Sequence, residues 1–381
     1  MMNIEKVDLL LMEAPIDNPI RTSFAIMRHR PALLVRIEDG DGAFGWGEIW
    51  CNHPPVSGRA RLQLAAEVVV PMFLANDYGA PKDVRPTLER VTHILNIQCA
   101  EPGPYAQIIA GLETAMWDLA ARKKGEPLYL YLGGESTDKV RAYASGINPG
   151  DVAQQIPIAR AAGYRDFKIK IGFDRAKDID VVAQAADNLV EGEGYMLDAN
   201  QAWTRDAAVE FCRALPNLKP RWLEEPMPAD STPDDWLALA GSTDVALAAG
   251  ENALGHEQFD ALIATRALGF VQPDVAKWGG ISGCLSVGQK VNAAGLTYCP
   301  HFLGAAPGLF ASVHLLAAVG GNGLLEVDIN PNPLREALAS APINISDGYF
   351  QLPPGDGIGF TPNAEVKDRY LVEAREIRKD Q

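Results

Sequence analysis

Two lysines separated by one residue, Lys168 and Lys170, lie in the otherwise apolar segment DFKIKIG at positions 166–172. Side chains alternate between the two faces of a β-strand, so this spacing places both ammonium groups on one face and the apolar side chains on the other. Lysine is rarely buried without a partner, and the lysine face must therefore meet either water or counter-charges. The segment is either an edge strand with a solvated face or a buried strand that faces a polar site.

Six more polar residues stand at the carboxyl ends of apolar segments further along the chain. They are Asp198, Glu224, Glu251, Asp274, His301 and Glu326. The intervals between successive members are 26, 27, 23, 27 and 25 residues. Taken singly, each acid could be the N-cap of a following helix or a solvated turn residue. One polar cavity accounts for all six together, because a barrel of alternating strands and helices gathers the residues at the carboxyl ends of its strands. The two lysines would then face the barrel interior, opposite these acids.

Three of these acids, Asp198, Glu224 and Glu251, follow consecutive predicted strands, and their carboxylates would converge on one point. Such a cluster repels itself unless positive charge balances it. An all-oxygen set of ligands favours Mg²⁺ over Zn²⁺, which prefers histidine and cysteine. The alternative is a set of salt bridges to the barrel lysines.

Asp274 and His301 follow the next two predicted strands. The carboxylate can accept a hydrogen bond from one imidazole nitrogen, which fixes the tautomer and raises the basicity of the other nitrogen. His314 stands in the apolar helical run ASVHLLAAV and is expected to be a core residue instead. Lys277, three residues after Asp274, could be a charge at the rim or a partner of the site residues.

Lys170 and His301 would approach a carboxylate substrate from opposite sides, and each could act as a base. The α-proton of a carboxylate is too weakly acidic for either base alone, so the metal must stabilise the enolate, with help from Lys168 and a protonated Glu326. A base lysine needs a pKa lowered towards neutrality, and a neighbouring cation can lower the pKa of Lys170 by disfavouring its charged form. The predicted chemistry is the abstraction of an α-proton.

The elements that would position these groups follow from the apolar pattern. Short apolar segments separated by amphipathic helical patterns predict repeated βα units from about Val140, with strands at VRAYAS, DFKIKI, GYMLDAN, RWLEEP, VALAAGE, GFVQPD, LTYCPH and GLLEVD. Before them, KVDLLLMEAPI and PALLVRIEDGDGAFGWGEIW predict a β-meander with Asp-Gly turns. Helices are predicted from about Arg59 to Phe73 and from Tyr105 to Lys124, with Gly125 as the C-cap of the second.

The composition limits the kind of protein and its partners. With 381 residues and 47% hydrophobic content, the chain can form a large core and is expected to have two domains. A net charge of -15, with no long lysine or arginine cluster, opposes binding to nucleic acid or to an anionic membrane. The five cysteines are scattered, and no segment has the pattern of a signal peptide or a membrane span, so we expect a cytoplasmic protein.

The motifs, in this order and at this spacing, resemble those of the enolase superfamily, and of its mandelate racemase subgroup in particular. The resemblance covers nearly the whole chain, through GLETAMWDLAARKKGEPLYLYLGG, FKIKIG, LDANQAW, LEEP, AGEN, QPD, PHFLG and the tail DGYFQLPPGDGIGF. Enolase-type sites use a lysine or histidine base together with Mg²⁺. The resemblance implies three groups of site residues, which are the metal ligands Asp198, Glu224 and Glu251, the bases Lys170 and His301 with Asp274, and the substrate and enolate partners Lys168 and Glu326.

The fold implied by the resemblance is α/β, a modified TIM barrel of the (β/α)7β type with an α+β N-terminal capping domain. The implied boundaries are 1–130 for the cap, 131–350 for the barrel and 351–381 for a C-terminal segment that returns to the cap. The Asp274 and His301 pair is typical of the mandelate racemase subgroup, whereas muconate-lactonising members use a lysine as the opposing base. We also expect a homo-oligomer.

Substrate choice in this family is set by cap loops over the barrel mouth, here roughly Pro19 to Arg30 and Gly47 to Ser57. The candidate substrate-binding residues in these loops are Arg28, His29, Arg30, Trp50, Asn52 and His53, which would act together with Lys168. The alternative is that they are solvated loop residues. If they contact the substrate, they suit a polyhydroxylated acid or a dicarboxylate better than an aromatic acid.

The predicted function is Mg²⁺-dependent abstraction of the α-proton of a small-molecule carboxylate, followed by dehydration or cycloisomerisation of a sugar acid or its lactone. A racemase or epimerase of a 2-hydroxy acid is the alternative, because two bases are sufficient for it. A metal-dependent hydrolase would typically have a His-x-His pair, and none of the six histidines is so spaced. A non-catalytic sugar-acid-binding protein would have little need for bases on both faces of its ligand.

Overall fold

The computed structural model describes residues 2–21, 25–215 and 219–379. One sheet is antiparallel and contains the strands β1 (Ile4–Arg21), β2 (Ile26–Asp39), β3 (Phe44–Ile49) and β14 (Leu371–Arg378). Its strand order is β14-β1-β2-β3. The predicted meander is confirmed in β1 to β3, and the end of the chain adds the fourth strand.

Helices cover one face of this sheet. They are α1 (Ser57–Leu64), α2 (Val70–Leu74), α3 (Val84–Cys99), α4 (Pro102–Lys124) and α5 (Leu128–Tyr131), with a π-helical turn at Ala65–Val69 and a 3-10 turn at Pro81–Asp83. The second predicted helix lies within α4, and Gly125 ends it in the left-handed conformation, with φ of +71°. α4 approaches β3 closely at Gly47, where a Cβ would overlap the carbonyl oxygen of Gly111.

The second sheet carries the predicted βα units. Its parallel strands are β4 (Lys139–Ile147), β5 (Asp166–Lys170), β6 (Gly194–Asp198), β7 (Leu223–Glu224), β8 (Leu247–Ala249), β9 (Leu268–Val271), β10 (Thr297–Tyr298) and β11 (Leu325–Asp328). Neighbours in the chain are neighbours in the sheet from β4 to β10, and β11 pairs with the side of β4 opposite β5. All the predicted strand segments are confirmed.

Helices alternate with these strands. They are α6 (Val152–Ala161), α7 (Arg175–Asn188), α8 (Arg205–Arg213), α9 (Pro233–Ala240), α10 (His256–Thr265), α11 (Gly280–Ala293), α12 (Ala306–Val319) and α13 (Pro333–Glu336). A 3-10 turn at Pro149–Asp151 precedes α6, and the hairpin of β12 (Ile345–Ser346) and β13 (Tyr349–Gln351) attaches to β4. After α14 (Ala364–Tyr370), the chain returns to the first sheet through β14. None of the helices in the described ranges is long and apolar enough to span a bilayer.

Asp118 of α4 joins three parts of the molecule. Its carboxylate accepts hydrogen bonds from the backbone N–H of Trp46 on β3 and of Ile358 in the C-terminal segment, each at 2.7 Å. The Nε of Arg122 donates to the same carboxylate at 2.8 Å. The Asp118 side chain is fully buried, so its loss would leave these donors without an acceptor.

We expect Asp118→Ala to lower the free energy of unfolding by about 3 to 5 kcal/mol, as for the loss of one partner from a buried ion pair. The matched control is Asp187→Ala, which removes an exposed aspartate from α7 and should change the free energy by less than about 0.5 kcal/mol. Denaturant unfolding of both variants, followed by circular dichroism, measures the difference. Equal midpoints for the two variants would contradict the prediction.

Candidate active site

The lysine pair lies on β5, which pairs with β4 on one side and with β6 on the other, so it is not an edge strand. The Lys168 side chain is only 1% exposed. Its Nζ lies 2.5 Å from Oε1 of Glu224 and 2.7 Å from Oε1 of Glu326. These acids are on β7 and β11, neither of which is next to β5, so the sheet curves around the ammonium group.

Lys170 binds a different acid. Its Nζ donates to Oδ2 of Asp198 at 2.5 Å and to Oδ1 of Asn200 at 2.9 Å. Burial disfavours the charged form, but Asp198 outweighs this effect and raises the pKa of Lys170. The pKa of Lys168 is likewise raised well above its ordinary value, because its acidic partners outweigh burial. The lowered pKa that we expected for a base lysine is therefore not found in this arrangement.

The imidazole of His301 lies between two carboxylates. Its Nδ1 is 2.7 Å from Oδ2 of Asp274, and its Nε2 is 2.9 Å from Oε2 of Glu251. The backbones of Asp274 and His301 form a parallel β-bridge just beyond β9 and β10, so strand register sets the pair side by side. Burial opposes protonation, but Glu251 and Glu326 raise the pKa of His301 well above its ordinary value. The imidazole in this arrangement is a cation.

Glu251 is also held by Lys277. The lysine Nζ is 3.0 Å from Oε1 of Glu251 and donates to Oδ1 of Asn252, also at 3.0 Å. Burial alone would raise the pKa of Glu251, but His301 and Lys277 hold it well below its usual range. Lys277 is thus a partner of the site residues rather than a charge at the rim.

Glu326 differs from the expected protonated acid. Its Oε1 accepts a hydrogen bond from the Ser145 hydroxyl at 2.5 Å, and its Oε2 accepts one from the Phe302 N–H at 3.2 Å. Burial acts to raise its pKa, but Lys168 and His301 together hold the pKa of Glu326 below its ordinary value. The side chain is a carboxylate acceptor here, because two cations lie next to it.

The predicted metal ligands are all close to these cations. Asp198 pairs with Lys170, Glu224 pairs with Lys168, and Glu251 pairs with Lys277 and His301. Within the described residues, no three acidic, histidine or cysteine side chains are arranged so that they could hold a metal ion together. The salt bridges that we considered as the alternative are therefore present.

The charges nevertheless fit a divalent cation. The carboxylates of the cluster are Asp198, Glu224, Glu225, Glu251, Asp274 and Glu326, all buried except Glu251, which is 11% exposed, and the cations among them are Lys168, Lys170, Lys277 and His301. Ionisation of all six acids would leave two negative charges in excess of the four cations, and a divalent cation would balance them. Burial and the nearby Asp198 raise the pKa of Glu224 to about 7, against the attraction of Lys168. The all-oxygen donors and the charge deficit both match Mg²⁺.

Sequence reasoning missed Glu225. This residue is 1% exposed, and both of its carboxylate oxygens accept hydrogen bonds from Nδ2 of Asn252, at 2.9 and 3.0 Å. Burial and the neighbouring Glu251 raise the pKa of Glu225 well above its ordinary value. Strand alternation would place Glu225 on the face opposite Glu224, but its φ of +39° turns the chain. The signal was the pair of adjacent acids in LEEP.

Other polar residues complete the surroundings of the acids. Gln272 donates through Nε2 to Oε2 of Glu224 at 2.7 Å, and Trp222 donates through Nε1 to the same oxygen at 2.9 Å. Asn200 donates to Asp198 from its backbone N–H at 2.9 Å. Asn200 stands two residues after Asp198, so the sequence could have indicated it as a residue on the same side.

The second predicted cap loop reaches this cluster. The ring of Trp50 lies 5.0 Å from Nζ of Lys277, and the His53 ring is 6.1 Å from that of Trp50. Burial lowers the pKa of His53, and the charge of Lys277 adds to the effect. Asn52 donates through Nδ2 to the carbonyl oxygen of Leu303 at 2.5 Å. Leu303 is two residues after His301, so this bond links the loop to the His301 segment.

The first predicted cap loop is mostly strand, because β1 extends to Arg21 and β2 begins at Ile26. Its residues 22–24 lie outside the described residues. Arg30 is buried and pairs with Asp328 at 2.6 Å, so it joins the cap to the end of β11. Arg28 and His29 are exposed, and no hydrogen bond or ion pair among the described residues links them to the carboxylate cluster.

Two known families match most of the chain. The family described as "Mandelate racemase / muconate lactonizing enzyme, N-terminal domain" matches residues 6–133, and the family described as "Enolase C-terminal domain-like" matches residues 151–366. The chain belongs to the mandelate racemase and muconate lactonizing enzyme family of the enolase superfamily. Members have an α/β fold with an N-terminal cap and a TIM-barrel-like domain, as the two sheets described above indicate.

Individual relatives match almost the whole chain. A mandelate racemase/muconate lactonizing enzyme from Bordetella bronchiseptica RB50 is 43% identical, with a TM-score of 0.91 over 96% of this chain and 99% of that one. The L-talarate dehydratase from Polaromonas sp. JS666, in complex with Mg and L-glucarate, is 26% identical, with a TM-score of 0.82 over 99% of each chain. The D-galactarolactone cycloisomerase of Agrobacterium fabrum (strain C58 / ATCC 33970) is 26% identical over 97% of this chain and 99% of the relative.

Proposed function

We propose that this protein is an Mg²⁺-dependent enzyme that removes the α-proton of a sugar acid or its lactone and then expels a β-oxygen, as a dehydratase or a cycloisomerase. The observation that carries the proposal is the placement of Lys170 and of the Asp274 and His301 pair, which approach one carboxylate cluster from β5 and from just beyond the ends of β9 and β10. Relatives named as a cycloisomerase and a dehydratase of such compounds support the substrate class.

The proposal includes a closed (β/α)7β barrel at residues 131–350, a cap at 1–130 and a returning segment at 351–381. Closure between β10 and β11 is supported by contacts across the gap. The Leu324 N–H donates to Sγ of Cys299 at 3.3 Å, and the Phe302 N–H donates to Glu326. We also propose a homo-oligomer in the reducing cytoplasm, for which the five free cysteines are suited.

Asp198, Glu224 and Glu251 would hold the metal, which when bound would supply positive charge for the substrate carboxylate and would relieve the carboxylate field that raises the lysine pKa values. Lys168, buried beside these acids, contributes a fixed positive charge for the enolate that forms. The second cap loop, with Trp50 and His53, closes the same side of the site.

The proton moves through the two bases. Lys170 takes the α-proton at Nζ once it is neutral. His301, held in the cationic form by Glu251 and Glu326 and in one orientation by Asp274, donates a proton from Nε2 to the departing β-oxygen. A second candidate reaction, racemisation or epimerisation, is favoured by the same two bases, because His301 could return the proton to the opposite face of the α-carbon instead.

Product analysis distinguishes the two reactions. We expect that a panel of aldonic, aldaric and aromatic hydroxy acids and lactones, incubated with the protein and Mg²⁺, will give a turnover product only from a polyhydroxylated member. NMR of that product should show a 2-keto-3-deoxy acid or a ring-opened isomer. A stereoisomer with all oxygens retained would overturn the elimination proposal in favour of racemisation.

A further inference from the structure

Two barrel helices begin without a cap from their own sequence. α11 follows Gly279 and α12 follows Ala305, and neither N-cap residue has a side chain that can accept a hydrogen bond. The first N–H groups of a helix have no acceptor inside the helix, and when buried they need one from elsewhere. For both helices, the acceptor is a glutamate of the N-terminal cap domain.

Glu48, on β3, supplies the acceptor for α12. Its Oε1 accepts a hydrogen bond from the Ala305 N–H at 2.7 Å, and its Oε2 accepts one from the Gly308 N–H at 3.0 Å. The carboxylate fits so closely that a Cβ on Gly304 would lie 2.5 Å from Oε1. Any side chain at that position would therefore force Glu48 out of its place.

Glu113, on α4, does the same for α11. Its Oε2 accepts a hydrogen bond from the Ile281 N–H at 2.7 Å, and its Oε1 accepts one from the Ser282 N–H at 3.1 Å. Gly280 has a φ of +55°, and a Cβ there would overlap the Glu113 carboxylate. The helix start is thus shaped around a side chain from the other domain.

Stability alone does not explain why two glutamates are buried between the cap domain and the barrel. Glu48 is 5% exposed and Glu113 is fully buried, and within the described residues neither has a lysine, arginine or histidine in ion-pair contact. Burial raises the pKa of each to about 7, although the backbone N–H donors oppose the rise. Burying such a group is costly, and a purely apolar contact would hold the domains together as well.

The positions of α11 and α12 explain why the two buried glutamates are present. The segment between β9 and α11 carries Asp274, and the segment between β10 and α12 carries His301. The cap also holds the His301 segment through Asn52, whose Nδ2 donates to the Leu303 carbonyl oxygen. Each half of the dyad therefore lies on a short segment that ends at a helix start fixed by a cap carboxylate.

We infer that Glu48 and Glu113 are positioning residues, through which the docked cap domain sets the alignment of His301 with Asp274. The inference rests on the proposed function insofar as it treats His301 as one of the two bases. Lys170 lies on β5, and neither cap glutamate contacts the segment that carries it. Loss of either cap carboxylate should therefore affect proton transfer by His301 and leave proton transfer by Lys170 unchanged.

The test uses the isosteric variants Glu48→Gln and Glu113→Gln, with Glu67→Gln, an exposed glutamate of the cap, as the control. The first readout is NMR of the holoenzyme with ¹⁵N-labelled histidine, in which the His301 Nδ1–H signal is assigned by its absence in His301→Asn. We expect this signal to shift or to be lost by exchange with water in both variants and to be unchanged in the control.

The second readout is exchange of the substrate α-hydrogen in heavy water. Exchange through His301, measured with Lys170→Ala as background, should fall at least tenfold in each glutamine variant, while exchange through Lys170, measured with His301→Asn as background, should change less than twofold. Equal loss through both bases, or an unchanged His301 signal in both folded variants, would overturn the inference. If the wild-type protein exchanges no acid of the panel, the proposed function fails, and the NMR readout still decides the positioning role.

Discussion

Lys170→Ala and His301→Asn are each expected to lower kcat/KM by about 100- to 10,000-fold, the range typical of a lost general acid or base. Lys170 supplies Nζ from the Asp198 side of the cluster, and His301 supplies Nε2 from the Glu251 side. In the proposed arrangement, a substrate α-carbon lies between the two groups, and each group serves one face of it. Each variant should therefore lose the complete reaction while keeping the substrate bound.

Partial reactions separate the two roles. In heavy water, each variant should still exchange an α-hydrogen of one configuration through the base that remains. Lys177→Ala and His93→Asn, which remove exposed residues of the same types on α7 and α3, should keep full turnover. Retained exchange of both configurations in both base variants would exclude the two-face arrangement.

The sequence predicted the parts of the fold that depend on local pattern and spacing. The strand segments of the second sheet, the meander and the αL position of Gly125 all follow from periodicity and turn residues, and the structure confirms them. His314 is a buried core residue whose Nδ1 accepts a hydrogen bond from the Tyr129 N–H at 3.2 Å, as its apolar surroundings indicated. These features are encoded within single segments.

Features that depend on contacts between distant segments could not be predicted in this way. The salt-bridge partner of Arg30 is almost three hundred positions away, so a cap arginine expected at the substrate is instead buried against Asp328. Glu48 and Glu113 read as ordinary residues of a strand and a helix, because nothing in their own segments shows the helix starts that they meet.

The protonation states of the site residues were also beyond the sequence. We expected a protonated Glu326 that helps to stabilise the enolate, and burial alone would favour this neutral acid. The outcome depends instead on distances, because Lys168 lies 2.7 Å away and His301 adds a second positive charge. Strand alternation likewise gave no reason to place Glu225 beside Glu251. Glu225 reaches that position because its own backbone is left-handed, and the sequence pattern does not show this single φ angle.

Removal of divalent cations is expected to abolish turnover, and Glu224→Gln is expected to weaken Mg²⁺ binding at least 100-fold. Even a change in a residue that only supports a metal ligand typically costs about 10- to 100-fold in affinity, and Glu224 is proposed as a ligand itself. The carboxylate of Glu224 now pairs with Lys168, so binding of Mg²⁺ requires the ammonium group to yield part of this contact. The excess of acidic side chains around it provides the driving force.

Isothermal titration calorimetry with MgCl₂ measures this binding without reference to a substrate. The wild-type protein should show one site, Glu224→Gln should show no saturation in the same range, and Glu257→Gln, an exposed glutamate on α10, should match the wild type. After chelation, addition of Mg²⁺ should restore the activity of the wild-type protein but not that of Glu224→Gln. Undiminished Mg²⁺ binding by Glu224→Gln would exclude Glu224 as a ligand, and full turnover of metal-free protein would mean that the reaction does not need the cation.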